Sequence, residues 1–156
     1  MFNGCYNSRG EIDHLLVGPP GIWAVEVKSN RALLQVFGDD WELTKLDNWG
    51  NEVGKKVAAD RKGRTWGQQV AEPAALLADR LAIKGHDVPI RTAVVLVSPD
   101  ARVIDVVRPG VDLVTADLEE FERSATTGAP ILDHRELATI GELIVEHHRH
   151  FDVRSD

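Results

Sequence analysis

Three charged residues stand where a strand hairpin ought to be apolar. In "GEIDHLLVGPPGIWAVEVKS", residues 10–29, Asp13, Glu26 and Lys28 sit among hydrophobic neighbours. If Gly18-Pro19-Pro20-Gly21 is the connection, Val17 pairs with Ile22, Asp13 falls opposite Glu26, and Glu11 falls opposite Lys28. Opposed residues have Cβ atoms about 5 Å apart, and like charges there are destabilising. Such a pair has one pKa raised or takes a cation between its members. Mg²⁺ suits the place, because it accepts one or two carboxylates with waters and phosphate oxygens. Lys28 lies on the same face as Glu26, about 6–7 Å along the strand, within reach of a metal-bound water or a phosphate oxygen. These are the parts of metal-assisted phosphodiester hydrolysis. The same residues also fit a plain Glu26–Lys28 pair at a sheet edge, with Asp13 at a frayed strand end. The register decides between them, since a one-residue slip moves Asp13 to the other face.

The elements that must position these residues follow from periodicity. Trp23, Val25 and Val27 share one strand face, which reads as core; Ala24, Glu26 and Lys28 share the other. Strands are expected at 11–17 and 22–29. A hairpin of "ALLQVF", "GDD" and "WELTKL" comes next, then a polar Gly- and Lys-rich loop over 47–66. A helix is expected within 67–84, with Val70, Ala74, Leu77, Ala78 and Leu81 on one face. "TAVVLVS" (92–98) reads as a buried central strand, and "RVIDVV" and "VDLVT" as short strands. "ADLEEFERSATTG" reads as a helix ending at Gly128. "DHRELATIGELIVEHHRHF" reads as a C-terminal helix with Leu137, Ile140, Ile144 and Val145 inward. The order is that of an α/β domain with a mixed central sheet flanked by helices.

With 156 residues the chain is sized for one domain, expected over 1–150 with a tail at 151–156. No apolar run approaches the roughly 20 residues of a membrane span, and the start shows no signal peptide. Cys5 is the single cysteine and has no internal partner. These features read as cytoplasmic with no membrane partner. The net charge of −7 is uneven: residues 1–91 hold 12 basic and 12 acidic residues, residues 92–156 hold 6 and 13. Within the neutral part, "KKVAADRKGR" (55–64) gathers Lys55, Lys56, Arg61, Lys62 and Arg64 against one acid. That segment reads either as a phosphate-binding face or as a solvated loop.

"EIDHLLVGPPGIWAVEVKS" resembles the core of the nuclease-related domain (NERD), a branch of the PD-(D/E)XK nuclease superfamily. The likeness lies in an Asp-His pair, a Gly-containing turn and a strand ending in Glu-x-Lys, with twelve residues between Asp13 and Glu26. It runs in general pattern to near Ile144. The resemblance implies a restriction-endonuclease-like fold and a nuclease dependent on Mg²⁺ or Mn²⁺. It implies Asp13, Glu26 and the Val27 carbonyl as metal ligands and Lys28 as the catalytic lysine. It implies a glutamine on the following helix near the acids; Gln69 matches in register better than Gln68. His14 matches the Asp-His pair, and alternation turns it away from Asp13, as a structural histidine would be. DNA is the implied partner; a homo-oligomer or further domains outside this chain stay open.

The likeness departs in two places. Pro73 follows Gln69 by four residues, so the helix either kinks at Gln69 or begins near Glu72. Met1-Phe2-Asn3 is expected at about the end of the family's first strand, so this sequence reads as lacking the usual N-terminal helix, as an excised or mis-started fragment or a reduced member would. Glu11 then either substitutes for an acid of that helix or pairs with Lys28. Among the tryptophans, Trp49 and Trp66 flank the basic segment, where they pack or stack on bases. "HHRH" (147–150) is read as helix-end charge favoured by the dipole. The leading expectation is a DNA-cutting enzyme; the alternatives are a nucleic-acid-binding or protein-interaction module on the same fold.

Overall fold

In the computed structural model the hairpin forms in the expected register. Strands β2 (Gly10–Gly18) and β3 (Gly21–Lys28) pair antiparallel, with Val17 against Ile22 and so on to His14 against Val25. Backbone is described for residues 1–152 and side chains for residues 1–148. Residues 153–156 of the expected tail thus lie outside the described residues. The turn needs Gly21, whose φ of +131° disfavours a side chain.

The ladder stops short of Asp13 and Glu26, which corrects the expectation that they are paired partners. The cause lies in β2 itself. Ile12 and Leu15 are both fully buried in one core, although three-residue spacing in a regular strand would put them on opposite faces. The alternation breaks between them. Opposite the break, β1 (Phe2–Asn7) carries Gly4 at φ +62°, flanked by the Asn3–His14 and Cys5–Ile12 pairs. β1 contributes six residues, Phe2–Asn7, to the edge of the sheet.

β3 continues into β4 (Ala32–Phe37), β5 (Asp40–Leu46) and β6 (Glu52–Val57). β6 occupies the middle of the segment expected to be a loop. It pairs antiparallel with β5, and every residue of it is exposed. Helix α1 (Trp66–Ile83) is followed by β7 (Ile90–Leu96), β8 (Arg102–Val107), β9 (Leu113–Thr115), α2 (Leu118–Thr126) and α3 (His134–Asp152). Two mixed sheets result, of order β1-β2-β3-β7-β9 and β6-β5-β4-β8. β3 joins β7 in parallel, and β4 joins β8 in parallel, so one α1-containing connection serves both sheets.

The larger core lies on the Ala24 face of β3, not the Trp23 face. There α1 buries Val70, Ala74, Leu77 and Leu81 against Ile12, Leu15, Ile22 and Ala24, and against Leu34, Val36, Trp41 and Leu43 of the second sheet. Ile140 and Ile144 of α3 close it. The Trp23 face is buried too, in a smaller cluster where Phe121 of α2 meets Trp23 edge-on at 5.9 Å. A strand covered on both faces reads as apolar in both registers, so alternation could not rank them.

α1 begins at Trp66 and runs through Pro73, which overturns a start near Glu72. Thr65 caps it: its hydroxyl accepts from the Gln68 N–H while the Gln68 side chain accepts from the Thr65 N–H. The Thr65-x-x-Gln68 spacing is a capping box, legible in the sequence. Its first turn is pressed against the second sheet at Gly67, where a Cβ would stand 2.6 Å from Trp41 Cζ2.

Gly67→Ala should therefore destabilise the protein. The forced shift costs about 1–3 kcal/mol, and alanine's better helix propensity returns at most about 1 kcal/mol. A lower urea midpoint is expected; an unchanged one would mean that α1 can slide on Trp41 at no cost.

Candidate active site

Past His14–Val25, the β2-facing edge of β3 is open, and the Asp13 side chain fills it. Asp13 Oδ2 accepts a 2.8 Å hydrogen bond from the Val27 N–H, the peptide that joins Glu26 to Val27. On the other edge the Lys28 carbonyl accepts from the Val97 N–H. Backbone groups alternate in direction along a strand, so the Val27 carbonyl points to the Asp13 edge. Asp13 and that carbonyl thus flank one gap, with Glu26 next in sequence.

Glu26 is only 6 % exposed. Burial pushes its carboxyl above the ordinary glutamate range; the Lys28 hydrogen bond and charge pull it back, and the Asp13 and Glu11 charges push it up again. Lys28 Nζ stands 2.6 Å from Glu26 Oε1 and donates to Gln69 Oε1 at 3.1 Å. It also lies 5.3 Å from the centre of the Trp66 ring, in cation–π range. Gln69 Nε2 donates to the Arg64 carbonyl at 3.2 Å. A lysine only donates and a carbonyl only accepts, so this amide has one orientation. The two glutamines divide as the register indicates: Gln68 caps α1, and Gln69 reaches the acids through Lys28.

Asp13, Glu26, Lys28, Gln69 and Val27 are brought together; the basic segment is not uniform. Lys55 pairs with Glu42 at 3.0 Å. Arg64 bonds Asp60 at 2.9 Å, approaches Glu72 at 3.5 Å and donates to the Arg9 carbonyl at 2.7 Å, so it fastens the loop before α1. Lys56, Arg61 and Lys62 are exposed. Lys56 pairs opposite Leu43, so it shares the face of the second sheet that meets α1. Lys55 points the other way.

Glu11 pairs with Tyr6 on β1, and the ion pair of Lys28 is with Glu26, so the expected Glu11–Lys28 bridge does not form. His14 Nδ1 contacts Asn3 Oδ1 at 2.8 Å, a strand-to-strand bond away from the acids. Trp23, Trp41 and Trp66 are buried, whereas Trp49 is 88 % exposed. Of "HHRH", His148 stacks on Tyr6, and the Arg149 and His150 side chains lie outside the described residues. Sequence reasoning missed Trp66 as a wall beside Lys28 and Arg64 as the anchor of Gln69. Neither has a signal short of the fold.

Among the described residues no group of three or more His, Cys, Asp or Glu side chains is placed to hold a metal. No described helix is long and apolar enough to cross a membrane. A family model described as "nuclease-related domain" matches residues 2–97, which takes in every residue of the cluster and ends short of Ile144. No curated protein and no solved structure matches the chain.

The raised Glu26 pKa has a direct consequence. With the folded value above the unfolded one, the protonated form favours folding; that contribution is complete below the unfolded pKa and is lost as pH rises through the folded one. Glu26→Gln cannot ionise. Its stability relative to the native chain should therefore improve as pH rises from about 4, the ordinary carboxylate range, towards about 7. Urea unfolding across that range checks this, and a difference that is flat or runs the other way contradicts it.

Proposed function

The chain belongs to the nuclease-related domain family, and from that premise we propose that it is a metal-dependent nuclease hydrolysing phosphodiester bonds in DNA. The observation that carries this is the Asp13 carboxylate bonded to the peptide following Glu26, with Lys28 held against the Glu26 carboxylate.

The donor set fits Mg²⁺ or Mn²⁺. Two carboxylates and one carbonyl are hard oxygen ligands, few enough to leave places for water and phosphate. Bound there, the ion would supply Lewis acidity towards a phosphate oxygen and a more acidic water. Asp13 and Glu26 would hold it, with the Val27 carbonyl as a third oxygen. Lys28 is kept at the rim by Gln69 and the Trp66 face, neither of which cancels its charge. Its ammonium is the donor that orients the attacking water or meets charge growing on the phosphate. Lys56, Arg61 and Lys62 are the candidates for backbone phosphates; Lys55 and Arg64 are already engaged by carboxylates.

A second reading, a nucleic-acid-binding module that does not cut, is favoured by the Lys28–Glu26 contact at 2.6 Å, which occupies one of the few oxygens a metal would need. Cleavage assays with Mg²⁺, Mn²⁺ and chelator separate the two.

Lys28→Ala should leave metal binding, measured by titration calorimetry, roughly intact while cleavage falls about 10²–10³-fold. Asp13→Asn should remove both. Native-rate cleavage by Lys28→Ala would reduce the lysine to a partner of Glu26. Neutralising Lys56, Arg61 and Lys62 together should flatten the dependence of log K on log salt by about 0.7–0.9 for each phosphate that is no longer neutralised. An unchanged slope removes them from the interface.

A further inference from the structure

Trp49 is the one tryptophan that the core does not absorb, and its setting is built. It sits in the turn between β5 and β6, and the Asp47 carboxylate organises that turn. Asp47 Oδ1 accepts from the Trp49 N–H at 2.8 Å and from the Asn51 N–H at 2.9 Å, and Oδ2 accepts from Asn51 Nδ2 at 3.2 Å. Two main-chain bonds close the turn: Asp47 N–H to the Asn51 carbonyl and Gly50 N–H to the Asp47 carbonyl. Gly50, at φ +83°, allows the reversal. A large ring that is 88 % exposed is thus carried on backbone with little freedom left to fold it away.

The turn lies at the site's end of the molecule. β3 ends at Lys28, and Arg31 follows three residues later, at most about 11 Å of extended chain away. The Arg31 carbonyl accepts from the Leu46 N–H at 3.0 Å, and its guanidinium donates to Asn48 Oδ1, also at 3.0 Å. One arginine therefore joins the segment leaving Lys28 to the residue before Trp49. Lys45 is exposed at the end of β5 and lies opposite Gly54, on the same face as Lys56. An exposed aromatic at the tip of a hairpin that carries Lys45 and Lys56 on one face suits single-stranded nucleic acid, whose backbone such cations attract and whose bases such a ring stacks on.

We propose that Trp49 is a stacking platform for an unpaired base, and that the substrate of the site is single-stranded nucleic acid or a strand with an unpaired end. The proposal rests on the nuclease reading of Asp13, Glu26 and Lys28. Strandedness follows from the chemistry of stacking. Within a duplex both faces of a base are covered by its neighbours, so a rigid ring on the protein surface finds a partner only where a base is unstacked.

The test compares the native chain, Trp49→Ala and Trp49→Phe. Each is titrated with a fluorescein-labelled oligothymidylate and with a blunt duplex of equal length, with Ca²⁺ in place of Mg²⁺ to occupy the oxygen site. The native chain should prefer the single strand. Trp49→Ala should weaken single-strand binding roughly tenfold to a hundredfold, the range seen for loss of one base–aromatic stack, while duplex binding changes little. Trp49→Phe should recover most of the loss. Because the side chain is exposed, thermal unfolding of the variants should match the native chain. Single-strand binding by Trp49→Ala at native strength overturns the proposal, leaves the nuclease reading standing, and makes a protein surface the claimant for the ring. Equal losses on both substrates also overturn it, since they would mark an interaction indifferent to stacking. Absence of binding to either substrate, together with absence of cleavage in Mg²⁺ or Mn²⁺, would bring down both readings.

Discussion

A carboxylate that is 6 % exposed must be answered by its surroundings, because an uncompensated buried charge costs several kcal/mol. Much of this fold is arranged around that constraint at Glu26. Lys28 supplies the opposite charge from the same strand. Gln69 and Trp66, both in the first turn of α1, keep Lys28 in place. That turn depends on the Thr65 cap and on Gly67, which lets the helix lie against Trp41 of the second sheet. Through these successive interactions a single acid on β3 is tied to both sheets. The ion pair alone would be weak evidence for stability; its value here is positional, since it sets where a cation stands relative to two acids.

Asp13 enters the same arrangement by a different route. A regular β2 would have carried its ladder on to Asp13 and Glu26, and Asp13 would have faced Glu26 as a like charge. The break in alternation at Asp13, opposite the left-handed Gly4, ends the ladder first. The carboxylate then takes a backbone N–H, so the two acids differ in kind. Asp13 is satisfied by the strand it abuts, whereas Glu26 is buried and depends on Lys28. On the proposed reading, such a gap at the end of a ladder is where an oxygen-seeking ion would find a main-chain carbonyl beside the carboxylates.

How much of this was legible in the sequence depends on how local the signal was. The Gly18–Gly21 turn implied the Val17–Ile22 pairing, and the pairing held. Gln69 was legible over Gln68, and the capping box explains why Gln68 is otherwise engaged. β6 was not legible, because an edge strand with no buried residue has no hydrophobic period, and its glycine and lysines read as loop. The ranking of the β3 faces failed because both are covered. The start of α1 was obscured by Pro73, whose local rule was overridden by packing on the 77–81 side and by the cap at Thr65. The role of Arg64 was hidden for a plainer reason: its partners Asp60, Glu72 and the Arg9 carbonyl converge only in three dimensions.

The uneven charge acquires a meaning once the elements are placed. Residues 92–156 carry the whole net charge of −7, and they include α2, which covers the Trp23 face of the first sheet, and α3. The cluster of Asp13, Glu26 and Lys28 belongs to the neutral part, with its exposed cations on β6 and in the loop before α1. A polyanion would be repelled from the α2 side of such a body and drawn to the exposed cations of β6 and of the loop before α1. Net charge therefore argues little against a nucleic-acid substrate here. On the proposed reading, the acidic half would narrow the orientations in which a phosphate backbone could arrive and favour those that bring it to Lys56, Arg61 and Lys62.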